Sequence, residues 1–157
     1  MKRTVNLGHQ LFLSLKKGFF ETALLDYSRP EPIRLNRGML LVLALELSNH
    51  LRSIDDQRVG VALPPGAAGV LTNLAIFLTG KTPVNLNFTT GAGAASRSIE
   101  KARITTIVSA DAVVRKFPDF PWTREVFDVG DWIKETSSKK LFLISKFCLL
   151  ACRNGEK

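Results

Sequence analysis

Residues 58–91, RVGVALPPGAAGVLTNLAIFLTGKTPVNLNFTTG, decide the fold class of this chain. The stretch starts with a short apolar run that Pro64-Pro65-Gly66 stops, continues as an almost uncharged helical segment over residues 69–78, and resumes as a strand over residues 83–87. Gly80 stands just beyond the helical segment, where helices commonly end. Two strands joined by a helix predict a βαβ unit with parallel strands and a right-handed crossover. Such an uncharged helix needs cover on most of its faces, which indicates a larger layered structure.

The rest of the chain continues this alternation of strands and helices. Predicted helices cover residues 5–27, 37–53, 94–102 and 111–116, a turn or helix covers 131–136, and an aliphatic helix begins at Ser138. Predicted strands cover residues 33–36, 104–109 and 125–129. A Pro-rich connector over residues 28–32 precedes Asn36, a residue type that caps helices such as the one predicted to follow it. The pattern predicts a three-layer α/β fold with a mostly parallel sheet built from βαβ units.

Composition indicates one domain without a leader or a membrane span. A chain of 157 residues with a 45% hydrophobic fraction can bury a sizeable core. The N-terminal apolar run is short, is broken by Lys16 and Lys17, and lacks a small-residue cleavage site, which argues against a secretory signal. No run approaches the roughly 20 apolar residues that a membrane-spanning helix needs. We therefore expect a cytoplasmic protein, with attachment to the inner membrane face as the alternative.

Charge separates the chain into three regions. Residues 1–37, a helical segment and the Pro-rich connector, carry seven basic and three acidic side chains. Residues 38–138 carry ten of each, and residues 139–157 carry five basic and one acidic, so both ends have a net charge of +4. We divide the chain into residues 1–37, an α/β core over 38–137 and a basic aliphatic tail helix over 138–157. Basic ends suit solvent, anionic lipid or an acidic carrier protein. Nucleic acid is not expected, since no reader motif is present.

Five segments of the chain form one joint pattern: Ala23-Leu24-Leu25-Asp26, Val59-Gly60-Val61 with Leu63-Pro64, Gly80-Lys81-Thr82-Pro83-Val84-Asn85-Leu86-Asn87-Phe88-Thr89, Ile99-Glu100-Lys101-Ala102, and Thr106-Ile107-Val108-Ser109. Together these segments resemble the N-terminal region of the adenylate-forming (AMP-binding) acyl-CoA and acyl-carrier-protein synthetases. The likeness extends over roughly residues 10–150. The motif Leu86-Asn87-Phe88-Thr89 is most similar to the synthetase domain of lysophospholipid acyltransferase/acyl ligases.

The resemblance implies an enzyme that uses ATP and magnesium to convert a fatty acid to an acyl-adenylate. A thiol of coenzyme A or of acyl carrier protein then accepts the acyl group. The family's phosphate loop, a Ser/Thr/Gly-rich run closed by Pro-Lys-Gly, does not occur in this sequence, nor do its Tyr-Gly-x-Thr-Glu motif and its C-terminal catalytic lysine. We therefore expect a truncated N-terminal subdomain, the remainder of the ligase as its partner, and no catalytic, cofactor-binding or metal-binding residue in this chain. The alternative is a standalone, non-catalytic α/β binding or scaffold protein.

Two groups of polar residues are candidates for a binding role. Thr89-Thr90-Gly91-Ala92-Gly93 could cradle an anion with backbone N–H groups, but no lysine follows at phosphate-loop spacing. We favour a strand-to-helix connection that the threonines cap. Asn85 and Asn87 lie in a predicted strand, where we expect hydrogen bonds to strand-end loops. The alternative is a role in shaping the acyl or nucleotide side.

The remaining polar residues suggest structural roles. His9 and His50 lie in different predicted helices without nearby metal-ligand patterns, and Asp55-Asp56 indicates a helix-ending turn. Asp128 and Asp131 flank Gly130 in a turn that they are expected to cap. The pair Cys148 and Cys152 is interpreted as reduced packing cysteines, because two cysteines without histidine support no metal site.

The tail helix combines aliphatic and basic residues and has two interpretations. Its apolar residues are Leu141, Phe142, Leu143, Ile144, Phe147, Leu149 and Leu150, and its basic neighbours are Lys139, Lys140, Lys146 and Arg153. We favour packing against the remainder of a ligase over a helix that lies on the inner membrane face. In either case the isolated chain is expected to expose an apolar patch and self-associate.

Overall fold

A four-stranded parallel sheet, flanked by helices, is the centre of the computed structural model, which describes residues 6–89, 91–138 and 140–152. The strands are β1 Thr22–Asp26, β2 Ile33–Asn36, β3 Arg58–Val61, β4 Thr82–Asn85, β5 Thr106–Ser109 and β6 Glu125–Asp128. The helices are α1 Leu7–Lys16, α2 Arg37–Leu51, α3 Ala67–Leu78, α4 Ala92–Ala102, α5 Asp111–Lys116, α6 Val129–Ser138 and α7 Lys140–Cys152. The expected α/β class and the parallel β3–α3–β4 unit are confirmed.

The strand order in the large sheet is β4-β3-β5-β6, and every neighbouring pair is parallel. From β3 the chain moves outward through α3 to β4, and then returns through α4 to place β5 on the other side of β3. The direction of winding therefore reverses between β3 and β5. In open α/β sheets, the carboxyl edge at such a reversal is where ligands usually bind.

Side chains that alternate along β3 separate the core into two layers. Val59 and Val61 join the larger cluster of buried side chains, in which α2 and α3 cover one face of the sheet together with Trp132. Ala62, which follows β3 directly and continues its ladder, joins the smaller cluster on the opposite face, beneath α4 and the loop that carries Phe120. Successive residues of a strand point to opposite faces, so these two clusters confirm the three-layer arrangement.

Helix α2 begins where the sequence predicts. The side chain of Asn36 accepts a hydrogen bond from the amide of Met39 at 2.7 Å, which is N-terminal capping as expected. The helix then buries Leu41, Leu47 and Leu51 completely. Helix α2 therefore forms a central part of the layer that covers β3.

The predicted helix over residues 5–27 is wrong in its second half. Helix α1 ends at Lys16, Gly18 adopts a positive φ of 62°, and residues 22–26 form β1. Strand β1 pairs antiparallel with β2. The sequence correctly predicts β2 as a strand over residues 33–36. Ala-Leu-Leu has good local helix propensity, but hydrogen bonds to β2 favour the extended conformation, and tertiary pairing commonly outweighs propensity. The proposed three-region division of the chain stays a prediction.

The tail forms the expected helix, α7, which packs against α2 rather than standing alone. Lys146 forms an ion pair with Glu46, and the ring centroids of Phe147 and Phe19 are 4.9 Å apart. Cys148 and Cys152 are exposed free thiols, so the interpretation as packing cysteines is wrong. The reason is that α7 is apolar around most of its circumference, whereas α2 covers only one side of it.

Outside that contact, α7 presents Phe142 and Leu149 to solvent with exposed fractions of 49% and 65%. Lys139 and Arg153, which the sequence assigns to the tail, lie outside the described residues. Within the described ranges, every helix is too short or too polar to cross a bilayer.

Candidate functional site

The carboxyl edge between β3 and β5 is the expected ligand position in this topology. The amide of Ala62 donates to the carbonyl of Val108 at 3.0 Å, so the ladder between the two strands continues past the end of β3. The buried hydroxyl of Ser109 donates to the carbonyl of Ala62 at 2.7 Å. These bonds fix the base of the crevice and direct the chain outward into the loop formed by residues 63–66.

Asp26, at the end of β1, occupies the N-terminus of α3. Its carboxylate accepts hydrogen bonds from the amide of Ala67 at 2.6 Å and from the amide of Ser28 at 2.9 Å. The hydroxyl of Ser28, these two amides and the charge of Arg29 lower the pKa of Asp26 to about 2, against the opposing effect of burial. Gly66 permits this contact, because a Cβ there would lie 2.8 Å from the carboxylate and its φ is 146°.

Asp128, at the end of β6, binds the starts of α5 and α6 together. One carboxylate oxygen accepts the amide of Asp111 at 2.8 Å, and the other accepts the amides of Gly130 at 2.7 Å and Asp131 at 3.0 Å. The predicted capping turn is therefore confirmed for Asp128. Asp131 pairs instead with Lys134 at 2.7 Å, and this hydrogen bond and charge raise the pKa of Lys134. The bond from Asp128 to Asp111 joins separate elements, which the local pattern does not reveal.

The starts of α3, α5 and α6 therefore donate backbone amides to the chain's own carboxylates. Helix N-termini attract phosphate through free N–H groups and the helix dipole, and a carboxylate already in place competes for the same groups. This charge arrangement disfavours nucleotide phosphate at these positions.

The Thr89–Gly93 motif behaves differently from the other helix starts. It connects β4 to α4, as predicted, but α4 has Gly91 at its N-cap and no side-chain capping bond there. Thr89 instead donates both its amide and its hydroxyl to the side chain of Asn87, at 2.9 and 2.7 Å. The expected capping by Thr89 is therefore wrong, and Thr90 lies outside the described residues.

Lys81, in the segment that carries the family resemblance, caps α2. Its ammonium donates to the carbonyl oxygens of Leu51 at 3.1 Å and Arg52 at 3.5 Å, and it also donates to Ile54. A cation at the C-terminus of a helix satisfies free carbonyls and interacts favourably with the helix dipole. The structure therefore uses this lysine to fasten α2 to the start of β4.

Asp56 lies near the amino edge of the sheet and fastens β5. It accepts bonds from the hydroxyl of Thr105 at 2.5 Å, the amide of Thr105 at 3.2 Å and the amide of Thr106 at 2.9 Å. Burial by itself raises the pKa of Asp56, but these hydrogen bonds outweigh it and leave the pKa below the ordinary value. Asp56 does lie between helix and strand as predicted, and its long-range role was not predictable from the local sequence.

Asn85 and Asn87 have separate partners. Asn85 exchanges hydrogen bonds of 3.1 Å with Asn73 on α3, so the expectation of a bond to a strand-end loop is wrong for Asn85. Asn87 bonds to Thr89 in the following loop, which confirms that expectation for Asn87. Asn73 and Asn85 both line an open cavity of about 680 Å³ between α1 and α3.

A second cavity, of about 230 Å³, lies on the other side of the loop formed by residues 63–66. Its lining includes Asp26 and Arg29 from the hairpin region, Trp132 from α6 and Leu143 from α7. The carboxylate of Asp26 is already bonded to Ser28 and Ala67, so it is committed to holding the hairpin against α3.

The histidines show no metal-site geometry in the part of the chain that the structure describes, where no three potential ligands gather. His9 lies on α1, and the ring of His50 meets Trp132 edge-on with centroids 6.3 Å apart. His50 therefore has an aromatic packing contact.

Sequence comparison identifies no matching protein-family model and no matching curated protein. Structure comparison does find relatives in fold. The nonribosomal peptide synthetase FmoA3, bound to alpha-methyl-L-serine-AMP, matches 79% of this chain with a TM-score of 0.66 and 19% identity. A fatty acyl-adenylate ligase from Legionella pneumophila, in complex with acyl adenylate and pyrophosphate, matches 81% with a TM-score of 0.67 and 12% identity. The N-terminal subdomain of Klebsiella oxytoca NpsA matches 80% with a TM-score of 0.60 and 16% identity.

These matches show that the fold corresponds to part of the N-terminal subdomain of adenylate-forming ligases. The chain spans 14% of the peptide synthetase, 24% of the Legionella ligase and 31% of the Klebsiella subdomain. Four-fifths of this chain therefore corresponds to a minor part of each of these proteins.

Proposed function

We propose that this chain is part of an ATP-dependent ligase that activates a fatty acid as acyl-adenylate and transfers the acyl group to a thiol of coenzyme A or acyl carrier protein. The observation that carries this proposal is the match of 81% of the chain to 24% of the Legionella fatty acyl-adenylate ligase. In this proposal, β3–α3–β4–α4–β5 provides a structural layer of the ligase, and the catalytic groups belong to its remainder.

The positions of the chain's own carboxylates support the proposal that this chain has a structural role and that the remainder of the ligase holds the catalytic groups. Asp26 and Asp128 already accept amides at the starts of α3, α5 and α6. The sequence also lacks a Ser/Thr/Gly-rich run closed by Pro-Lys-Gly. These occupied helix starts and the missing loop support the proposal that residues outside this chain bind ATP and magnesium.

The choice of a fatty acid is supported by two separate likenesses. One is the structural match to the Legionella ligase. The other is the sequence motif Leu86-Asn87-Phe88-Thr89, which resembles the synthetase domain of lysophospholipid acyltransferase/acyl ligases. Leu86 is buried in the smaller core cluster, and Phe88 packs against Phe117 with ring centroids 4.9 Å apart. The residues of this motif therefore contribute to packing, so the motif supports a relationship to the ligase family more than it supports a particular substrate.

The decisive experiment determines the coding sequence downstream of Lys157. We expect a Thr/Ser-Gly-rich loop with Pro-Lys-Gly, followed by the later motifs of the ligases. Absence of that loop from the downstream coding sequence would overturn the proposal and favour a standalone binding or scaffold protein.

The biochemical test compares ATP–pyrophosphate exchange by residues 1–157 and by the extended chain, using a series of fatty acids. We expect exchange from the extended chain, because adenylation needs a phosphate-binding loop and a cation to neutralise developing charge. We expect no exchange above background from residues 1–157. Exchange by the short chain would contradict the assignment of catalysis to the remainder, and an inactive but folded extended chain would contradict the ligase function.

A further inference from the structure

The cavity of about 230 Å³ beside the loop formed by residues 63–66 lies where several elements of the chain meet. The β1–β2 hairpin, α2, the start of α3, α6 and α7 all contribute residues to its lining. Arg29, Pro64 and Pro65 are exposed and form its rim, whereas Leu71 and Leu143 in its walls are buried. The cavity is therefore a recess within the packed layers.

The walls of this cavity are mainly aliphatic. They include Leu35, Leu43, Leu71, Ile133 and Leu143. An engineered apolar cavity of about 150 Å³ in another protein holds benzene, so the larger volume here is enough for a substituted ring or a chain of similar size.

Trp132 brings a hydrogen-bond donor to the cavity. It lines the cavity and is 6% exposed, and among the described residues no acceptor meets its indole N–H. The other tryptophan, Trp122, donates its indole N–H to the carbonyl of Phe117 at 2.9 Å. An indole N–H can only donate, and in buried tryptophans it usually finds a partner. Trp132 therefore lacks the acceptor that a molecule in the cavity can supply.

Asp26 determines which charge a ligand can carry. Its carboxylate belongs to the cavity wall, is 8% exposed, and is ionised at neutral pH because its pKa is about 2. Arg29 lies at the exposed rim, so water and salt screen its positive charge more strongly than they screen the buried carboxylate. An anion inside the cavity would therefore meet a like charge that is poorly screened, which is unfavourable.

We propose that this cavity binds a small, uncharged, apolar molecule whose carbonyl oxygen accepts the indole N–H of Trp132. The carbonyl satisfies the donor, the aliphatic walls cover the remainder of the molecule, and the lack of charge avoids repulsion by Asp26. Because the site disfavours carboxylates, it is distinct from a site for the proposed fatty acid substrate and does not rest on the ligase function.

The test titrates the 157-residue chain at about pH 7 with three aromatic molecules of nearly equal size. Acetophenone carries a carbonyl, benzoate carries a negative charge, and cumene has a methyl group in place of the oxygen. Nitrogen–proton NMR resolves the two indole signals of the chain, and Trp122, which is already bonded, is the internal reference.

We expect acetophenone to move the indole proton of Trp132 downfield in a saturable manner and to leave that of Trp122 unchanged. Cumene should bind roughly fivefold more weakly, as the loss of about one net hydrogen bond predicts, and without the downfield shift. Benzoate should bind more weakly by roughly tenfold or more. Absence of a saturable Trp132 shift with acetophenone, or equal affinity for benzoate, would overturn the proposal.

Matched variants on α3 locate the bound molecule. Ala68→Phe places a ring in the cavity from a half-buried position in its lining. Val70→Phe places the same ring on the same helix at a position that is 47% exposed and outside this lining. With folding verified by circular dichroism, we expect the first variant to abolish acetophenone binding and the second to retain it. Equal effects of the two variants would place the molecule elsewhere and refute the site.

A third variant tests the hydrogen bond itself. Trp132→Phe keeps an aromatic ring and removes the N–H, so the folded variant should bind acetophenone and cumene with equal affinity, measured on the backbone amides of Ile133 and Leu143. A remaining preference for acetophenone would contradict the role of the indole N–H. The three ligands on the parent chain test the proposal independently of whether this variant folds.

Discussion

Replacing Thr72 by valine should stabilise this protein by about 1–2 kcal/mol. Thr72 lies on α3 with an exposed fraction of 0%, next to fully buried Ala75 and Ile76 in the layer between the sheet and α2. Among the residues that the structure describes, the hydroxyl of Thr72 has no hydrogen-bond partner. A buried polar atom in this situation loses its bonds to water on folding and gains none in return.

The expected magnitude follows from the difference between the two side chains. Valine replaces the hydroxyl by a methyl group of similar size, and the two residues have nearly equal helix propensity. Removing an unsatisfied buried hydroxyl recovers a desolvation cost of about 1–3 kcal/mol, of which we take the lower half because the methyl group fits imperfectly. For a chain of this length, that gain corresponds to a rise in Tm of about 2–8 °C.

The assay is urea unfolding, followed by far-ultraviolet circular dichroism and by the fluorescence of Trp122 and Trp132. Coincident transitions establish two-state behaviour, and an unchanged m-value assigns a shifted midpoint to stability. Thr72→Ser is the matched control, because it keeps the hydroxyl and removes the methyl group. We expect the serine variant to be about 1 kcal/mol less stable than the parent chain.

A valine variant that is less stable than the parent would refute the reasoning. It would mean that the hydroxyl of Thr72 gains a hydrogen bond in the folded protein, for example to a buried water molecule. Equal stability of the parent and the variant would show that the hydroxyl has no net desolvation cost.

Three further predictions follow from the long-range contacts and from α7. The folded-state pKa of Asp26 is about 2, below the ordinary value of 3.8, so ionised Asp26 stabilises the folded protein fully above pH 3.8 and this contribution is lost as the pH falls toward 2. Asp26→Asn should therefore lower the Tm at neutral pH and make the Tm depend less on pH in the acid range, as measured by thermal scans. Lys81→Met should cost about 1.5–3 kcal/mol in urea unfolding, because it leaves the carbonyls at the end of α2 without their cation, whereas Lys81→Arg should recover part of the loss. The chain should self-associate at low detergent through α7, and the double change Phe142→Ser and Leu149→Ser should shift it toward a monomer in light scattering.

Each of these predictions has an outcome that contradicts it. Acid unfolding of Asp26→Asn that parallels the parent would show that Asp26 does not dominate the acid transition. A Lys81→Met variant as stable as the parent would show that water satisfies the carbonyls equally well. A monomeric parent chain would show that the exposed residues of α7 do not drive association.

The sequence predicts the central βαβ unit well because its signals are local. The apolar run, the glycine after the helix and the strand that follows all act within a few residues of one another. The cap at Asn36 is local too, since its partner Met39 is three residues away. Helix α5 and the four strands of the large sheet lie close to their predicted positions for the same reason.

The candidate site was less predictable because its contacts join distant residues. Asp26 meets Ala67 across 41 positions of sequence, Asp56 meets Thr106 across 50, and Lys81 meets Leu51 across 30. Aspartate after a strand and lysine after a glycine are common surface patterns, so nothing in the sequence marks these particular residues as connectors.

Local sequence patterns are enough to predict the alternation of strands and helices and the parallel β3–β4 pair, and the sequence also shows that the family's phosphate loop does not occur in these 157 residues. Contacts between distant segments decide that residues 22–26 extend into a strand, that β5 returns to the other side of β3, and that Asp26 and Asp128 accept the amides of Ala67 and Asp111. The two sets differ in sequence separation. Side-chain periodicity and helix capping depend on residues a few positions apart, whereas strand order and the partners of the carboxylates depend on which distant segments the core brings together.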